Sequence, residues 1–77
     1  MKIILKDSHS FQKMLLLKGH SQRSFAKKLE LSSPYVNQII SKKRNPSPKV
    51  AKKIAEILEV EIEDIFFITN ANKSYQN

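Results

Sequence analysis

Ser33, Asn37, Gln38 and Ser41 can each donate and accept hydrogen bonds, and they fall within one nine-residue stretch. At helical spacing they share the side opposite Val36 and Ile39. Amides of this kind make paired hydrogen bonds to the edge of adenine, and hydroxyls serve as either donor or acceptor. The chemistry on offer is recognition, not bond-making. A polar face is also what any solvated helix shows, so its surroundings decide its meaning. Lys42, Lys43, Arg44 and Asn45 follow directly. Ammonium, guanidinium and amide groups are the usual partners of phosphate oxygens. A base-reading face that runs straight into a phosphate-holding loop points to a nucleic acid.

Other chemistries find less support. His9 and His20 have no second ligand at metal spacing, and there is no cysteine, so no metal or cofactor is expected. No serine has a histidine and carboxylate arranged around it, so an enzyme is not expected. A single glycine, Gly19, is too few for a phosphate-cradling loop.

The charge agrees. The net is +7, unevenly spread. Residues 1–55 carry thirteen Lys and Arg against Asp7 and Glu30, whereas residues 56–77 carry Lys73 against Glu56, Glu59, Glu61, Glu63 and Asp64. A basic body with an acidic end implies a polyanion on one side. The 77 residues make one domain with a modest core. The apolar runs, such as Met14 to Leu17 and Ile65 to Ile68, are too short to span a membrane. The N-terminus lacks a signal-peptide pattern, and with no cysteine the expected location is the cytoplasm.

The elements that position these residues follow from periodicity and caps. Residues 2–6 read as a strand. Asp7 or Ser8 caps a first helix that turns Phe11, Met14 or Leu15, and the stem of Lys18 to one side, and Gly19 ends it. Ser21 caps a second helix to about Leu29, with Phe25, Ala26 and Leu29 as its apolar face. Ser32 or Ser33 caps a third, with Pro34 in the first turn, where a missing N–H costs little, and with Val36, Ile39 and Ile40 as its apolar side. Pro46 and Pro48 break the chain, and Ser47 opens a fourth helix bearing Val50, Ala51, Ile54, Ile57 and Leu58. A short fifth spans about Glu61 to Ile65, then residues 66–69 read as extended. The two strands pair either with each other or across a dimer. The fold class is mostly α, four to five helices with a small two-stranded sheet from the terminal segments. The domain covers 1–69, and 70–77 read as a polar, disordered tail.

Helices at 21–29 and 33–41 joined by a tight turn form a helix-turn-helix pattern, in which the second helix enters the DNA major groove. The ordered set Ser21-Gln22-x-x-Phe25-Ala26-x-x-Leu29, Leu31-Ser32-x-x-Tyr35-Val36-x-Gln38-Ile39, Lys43-Arg44-Asn45-Pro46-Ser47, Ala51-x-x-Ile54-Ala55-x-x-Leu58 and Ile62-Glu63-Asp64-Ile65-Phe66 resembles the phage-repressor/Cro-like, or XRE-type, helix-turn-helix family. The resemblance implies a sequence-specific regulator of transcription that binds double-stranded operator DNA, a repressor from a phage, mobile element or bacterial operon. It implies base contacts from Ser33, Asn37 and Gln38, and an apolar contact from Pro34. Ser41 joins them by its place on the same helix face. The resemblance also implies backbone contacts from Gln22, which helps to hold the recognition helix as well, and from Tyr35, Lys42, Lys43, Arg44 and Asn45, to which charge and position add Arg23 and Lys49.

Two positions depart from the family. Glu30 stands where the turn usually holds glycine, so it must accept left-handed geometry or the turn is shaped differently. Ile40 replaces a position often charged, and is expected to pack on the 42–46 loop or to form part of a protein interface. A homodimer, in solution or only on DNA, is expected because two half-sites raise specificity. The alternative function is a protein-interaction module on the same fold, an antitoxin or anti-repressor, working through the acidic end. A weaker rival is nonspecific nucleic-acid binding.

Overall fold

Four side chains cap helices by accepting from a backbone N–H three residues on, and they set most of the element boundaries. Asp7 accepts from the Ser10 N–H at 2.9 Å, Ser21 from Ser24 at 3.0 Å, Ser32 from Tyr35 at 3.2 Å and Ser47 from Val50 at 3.2 Å. In the computed structural model, which describes residues 2–69, these caps open α1 (Ser8–Leu17), α2 (Gln22–Leu29), α3 (Ser33–Ile40) and α4 (Pro48–Leu58). Ser32 rather than Ser33 is the third cap, and Pro34 lies in the first turn of α3 as the sequence implies. The short α5 (Ile62–Ile65) starts where Asp64 accepts from the Glu61 N–H at 2.8 Å. The polar tail, 70–77, lies outside the described residues.

Strands β1 (Lys2–Leu5) and β2 (Phe66–Thr69) close the chain on itself. They pair antiparallel, with Lys2 opposite Thr69 and Leu5 opposite Phe66. The Lys6 N–H extends the ladder by donating to the Ile65 carbonyl at 3.0 Å. Of the two pairings left open by the sequence, the one within the chain is observed. Ile3, Leu5 and Phe66 face the core, whereas Phe67, opposite Ile4, faces outward with the Lys6 ammonium 5.3 Å from its ring centre.

The core sits between this sheet and the helices. Phe25, Leu58 and Phe66 are wholly buried, and Phe11 meets Phe25 edge-to-face at 6.0 Å between ring centres. Burying side chains of this size contributes about 1.5–3 kcal/mol each. Two details differ from expectation. Lys18 is exposed at the C-terminal cap of α1. Ile40 is buried in the core with Val36 and Ile39, on the apolar side that its spacing gives it and not at an interface. Its carbonyl also accepts from the Ser8 hydroxyl at 2.5 Å, which ties the start of α1 to the end of α3.

Candidate nucleic-acid interface

Helix α3 is held from beneath by Val36, Ile39 and Ile40, all buried. With that side fixed in the core, Pro34, Asn37, Gln38 and Ser41 are forced outward and exposed, and Ser33 is half-buried beside them. The predicted base-reading residues therefore share one accessible face. They do not offer equal chemistry. The Ser41 hydroxyl donates to the Asn37 carbonyl at 2.8 Å, so toward a ligand it acts chiefly as an acceptor. Asn37 donates through Nδ2 to Oε1 of Gln22 at 3.3 Å, joining the middle of α3 to the first residue of α2. Gln38 has no side-chain partner among the described residues, and its amide is free on both sides.

The turn between α2 and α3 is made by Glu30 in the left-handed region, with φ 62°. Its N–H donates to the Lys27 carbonyl and that of Leu31 to Ala26, each at 3.0 Å, which closes α2 tightly. Of the two outcomes open for this position, the left-handed one holds. The Glu30 carboxylate lies 3.9 Å from the Lys53 ammonium of α4, the one ion pair among the described residues. Both side chains are exposed, so the pair adds little stability. Its effect is to hold the carboxylate beside α4.

The loop after α3 is equally tight. Lys42 takes φ 66°, and the N–H groups of Lys43 and Arg44 both donate to the Gln38 carbonyl, at 2.8 and 3.1 Å. Pro46 is buried and anchors the loop, while Lys42, Lys43, Arg44 and Asn45 are exposed. The Arg44 guanidinium stacks 5.0 Å from the ring centre of half-buried Tyr35, so the base of α3 and the loop are joined. None of the loop cations has an ion partner among the described residues. The arrangement is a face of hydrogen-bonding groups flanked by uncompensated positive charge, which matches a grooved polyanion. Gln22 is half-buried at the start of α2, and Arg23 and Lys49 are exposed at the starts of α2 and α4. Neither Arg23 nor Lys49 is tied to the α3 face by a hydrogen bond or ion pair.

Residues 11–65 match the family described as Helix-turn-helix. The chain belongs to the XRE-type helix-turn-helix family. Members of the XRE-type family are DNA-binding regulators, and the match runs from Phe11 in α1 through Ile65 in α5, so it includes the whole of α2, α3 and α4. No curated protein matches the sequence. No helix among the described residues is long and apolar enough to cross a membrane.

Sequence reasoning missed two positioning residues of this XRE-type site. Ser8, read only as a possible cap, bonds the Ile40 carbonyl 32 residues away. Lys53 lies 3.9 Å from the Glu30 carboxylate. Neither contact has a local sequence signal, because each joins elements far apart in the chain.

Proposed function

We propose that this chain is a sequence-specific regulator of transcription that binds operator-type double-stranded DNA and acts as a repressor in a phage, a mobile element or a bacterial operon. Helix α3 enters the major groove. Ser33, Asn37 and Gln38 contact base edges, Ser41 accepts there, and Pro34 meets a thymine methyl. Gln22, Arg23, Tyr35, Lys42, Lys43, Arg44, Asn45 and Lys49 contact the sugar-phosphate backbone. One observation carries the reading: the exposed hydrogen-bonding face of α3 runs directly into a loop of three cations with no ion partner among the described residues.

The protein works in the cytoplasm as a homodimer, formed in solution or on DNA, since one helix covers too few base pairs for specificity. The outer sheet face supports a dimer contact there: Ile4 lies opposite Phe67, and Phe67 and Ile68 are 54% and 43% exposed.

Fluorescence anisotropy on the DNA upstream of the chain's own gene, beside a scrambled duplex, tests the proposal across a salt series. The expected result is a preference of about a thousandfold at physiological salt. Equal affinities that collapse together with salt mean phosphate contacts alone, and contradict it.

A further inference from the structure

Leu17 ends α1 with most of its surface in water, 75% exposed. A single exposed leucine needs no explanation. Its place on the helix gives it one. Ser10, Met14 and Leu17 follow one another at helical spacing, so they form one row along α1. The start of that row borders a cavity of about 230 Å³ between α1 and α5. Phe11, Met14 and Ile65 make the cavity mostly apolar, and exposed Asp7 and Asp64 line it as well. One side of α1 therefore carries an apolar projection at its C-terminal end and an apolar hollow beside its N-terminal half.

The charges divide in the same way. Asp7 and Asp64 each accept a backbone N–H through Oδ2, and neither has an ion partner among the described residues. Lys6 also borders the cavity, but its ammonium lies 5.3 Å from the ring centre of Phe67. Lys18 follows Leu17 directly, exposed and likewise without an ion partner among the described residues. This side of α1 is thus complementary to itself run backwards. Two copies laid antiparallel bring each Leu17 over the other's cavity, and each Lys18 toward the other's Asp7 and Asp64. A single two-fold axis makes both contacts at once, which is the closed geometry that most self-associating chains adopt.

We infer that α1 is a contact surface for a second copy of this chain, with Leu17 of each seated in the Phe11–Met14–Ile65 cavity of the other and Lys18 against Asp7 and Asp64. None of these residues belongs to α3 or to the loop after it, so the contact does not depend on the DNA-binding function. It is also distinct from the outer sheet face that carries Phe67. One ten-residue helix from each copy is too little for a stable interface. Lys13, beside the row in the middle of α1, lies near its own copy across the axis, and that repulsion weakens the pair further. The contact is therefore transient, and operates where copies are already held close together, as on neighbouring sites of one duplex.

The test measures self-association of the full chain without DNA, by sedimentation equilibrium into the millimolar range. Every protein carries Phe67→Ser, which removes the sheet face from the measurement, and thermal melts establish that each is folded. Leu17→Glu is expected to weaken association tenfold or more, on the order of what an anchor side chain contributes. Leu16→Glu is the control, since Leu16 is 74% exposed but lies on another row, and association should be unchanged. Lys18→Glu is expected to weaken it several-fold. The described residues hold no cysteine, so an introduced thiol reports geometry directly. Lys13→Cys should form a disulfide-linked dimer under mild oxidation much faster than Leu16→Cys. A parent that stays monomeric throughout overturns the inference. So does a Leu17→Glu protein that associates like its parent, which leaves the sheet face as the contact between copies. Equal weakening by Leu16→Glu and Leu17→Glu overturns it too, because the association is then general stickiness and not a seated contact. Equal crosslinking at Lys13→Cys and Leu16→Cys overturns the antiparallel arrangement.

Discussion

Around α3 and the loop that follows it, amides and cations stand exposed, and none of the loop cations has an ion partner among the described residues. Around β1, β2 and α5 the exposed side chains include Phe67 and Ile68, and the charges of α5 are the acids Glu63 and Asp64. The first region leaves polar groups unsatisfied by the protein. The second closes the core with wholly buried Phe66 and joins residues more than sixty apart through backbone hydrogen bonds. Left-handed non-glycine residues occur beside both, Lys42 after α3 and Glu59 before α5, each at a cost of about 1 kcal/mol. The end around α3 carries exposed cations and amides, whereas the closing end carries acids and buries Phe66. A surface organised in that way is complete only with a polyanion against it.

The largest effect should come from the closing end. Phe66→Ala is expected to cost about 3–5 kcal/mol in denaturant unfolding, enough to unfold much of a domain this small. A loss below about 1 kcal/mol would mean that the sheet is an appendage and the comparison fails. At the recognition end, replacing Lys42, Lys43 and Arg44 together by alanine should leave the unfolding midpoint nearly unchanged. It should lower the slope of log affinity against log salt by about 2–3. An unchanged salt slope would place the phosphate contacts elsewhere.

Lys42→Gly separates strain from charge at one residue. It is expected to raise stability by about 1 kcal/mol while weakening DNA binding. Greater stability with undiminished binding would show that Lys42 makes no contact.

The smallest effect concerns Asp7. Hydrogen bonds from the Ser10 hydroxyl, and then from the Ser10 N–H, hold its carboxyl below the ordinary 3.8. Its contribution to stability is complete above that ordinary value and is lost as pH falls through the lowered one. Asp7→Asn keeps a capping side chain but does not titrate, so its melting temperature should fall less than the wild type's at the acid limit. Parallel acid profiles would remove Asp7 as a contributor.

Much of this was legible in the chain because it is local. Ser21, Ser32 and Ser47 announce helix starts within three residues of the groups they bond, and the stripe Val50, Ala51, Ile54, Ile57, Leu58 fixes the inward side of α4. The face carrying Asn37 and Gln38 followed from the burial of Val36 and Ile39 on the opposite side. Ile40 was legible by period as part of the apolar side of α3, whereas its comparison with a family position that is often charged pointed instead to the loop or an interface. Its burial depends on packing into the core beneath α3 and on the tie from Ser8, 32 residues away. Glu30 was undecided because the modest cost of left-handed geometry does not by itself outweigh a good turn. The partner of β1 was open because a strand's sequence specifies an edge but not which edge will meet it. The resemblance had Gln22 helping to hold the recognition helix, but Asn37 as its partner was not legible, since the pair depends on the angle at which α2 and α3 cross.

The central claim is that the outward face of α3 reads bases. The direct measurement is anisotropy of the double variant Asn37→Ala, Gln38→Ala on an operator selected by the chain from random DNA and on a scrambled duplex, at one physiological salt concentration. Both residues are exposed, so the melt should be unchanged. The account predicts that affinity for the operator falls to that for the scrambled duplex, while the latter is unaltered. A double variant that still prefers its operator as strongly as the wild type would contradict it.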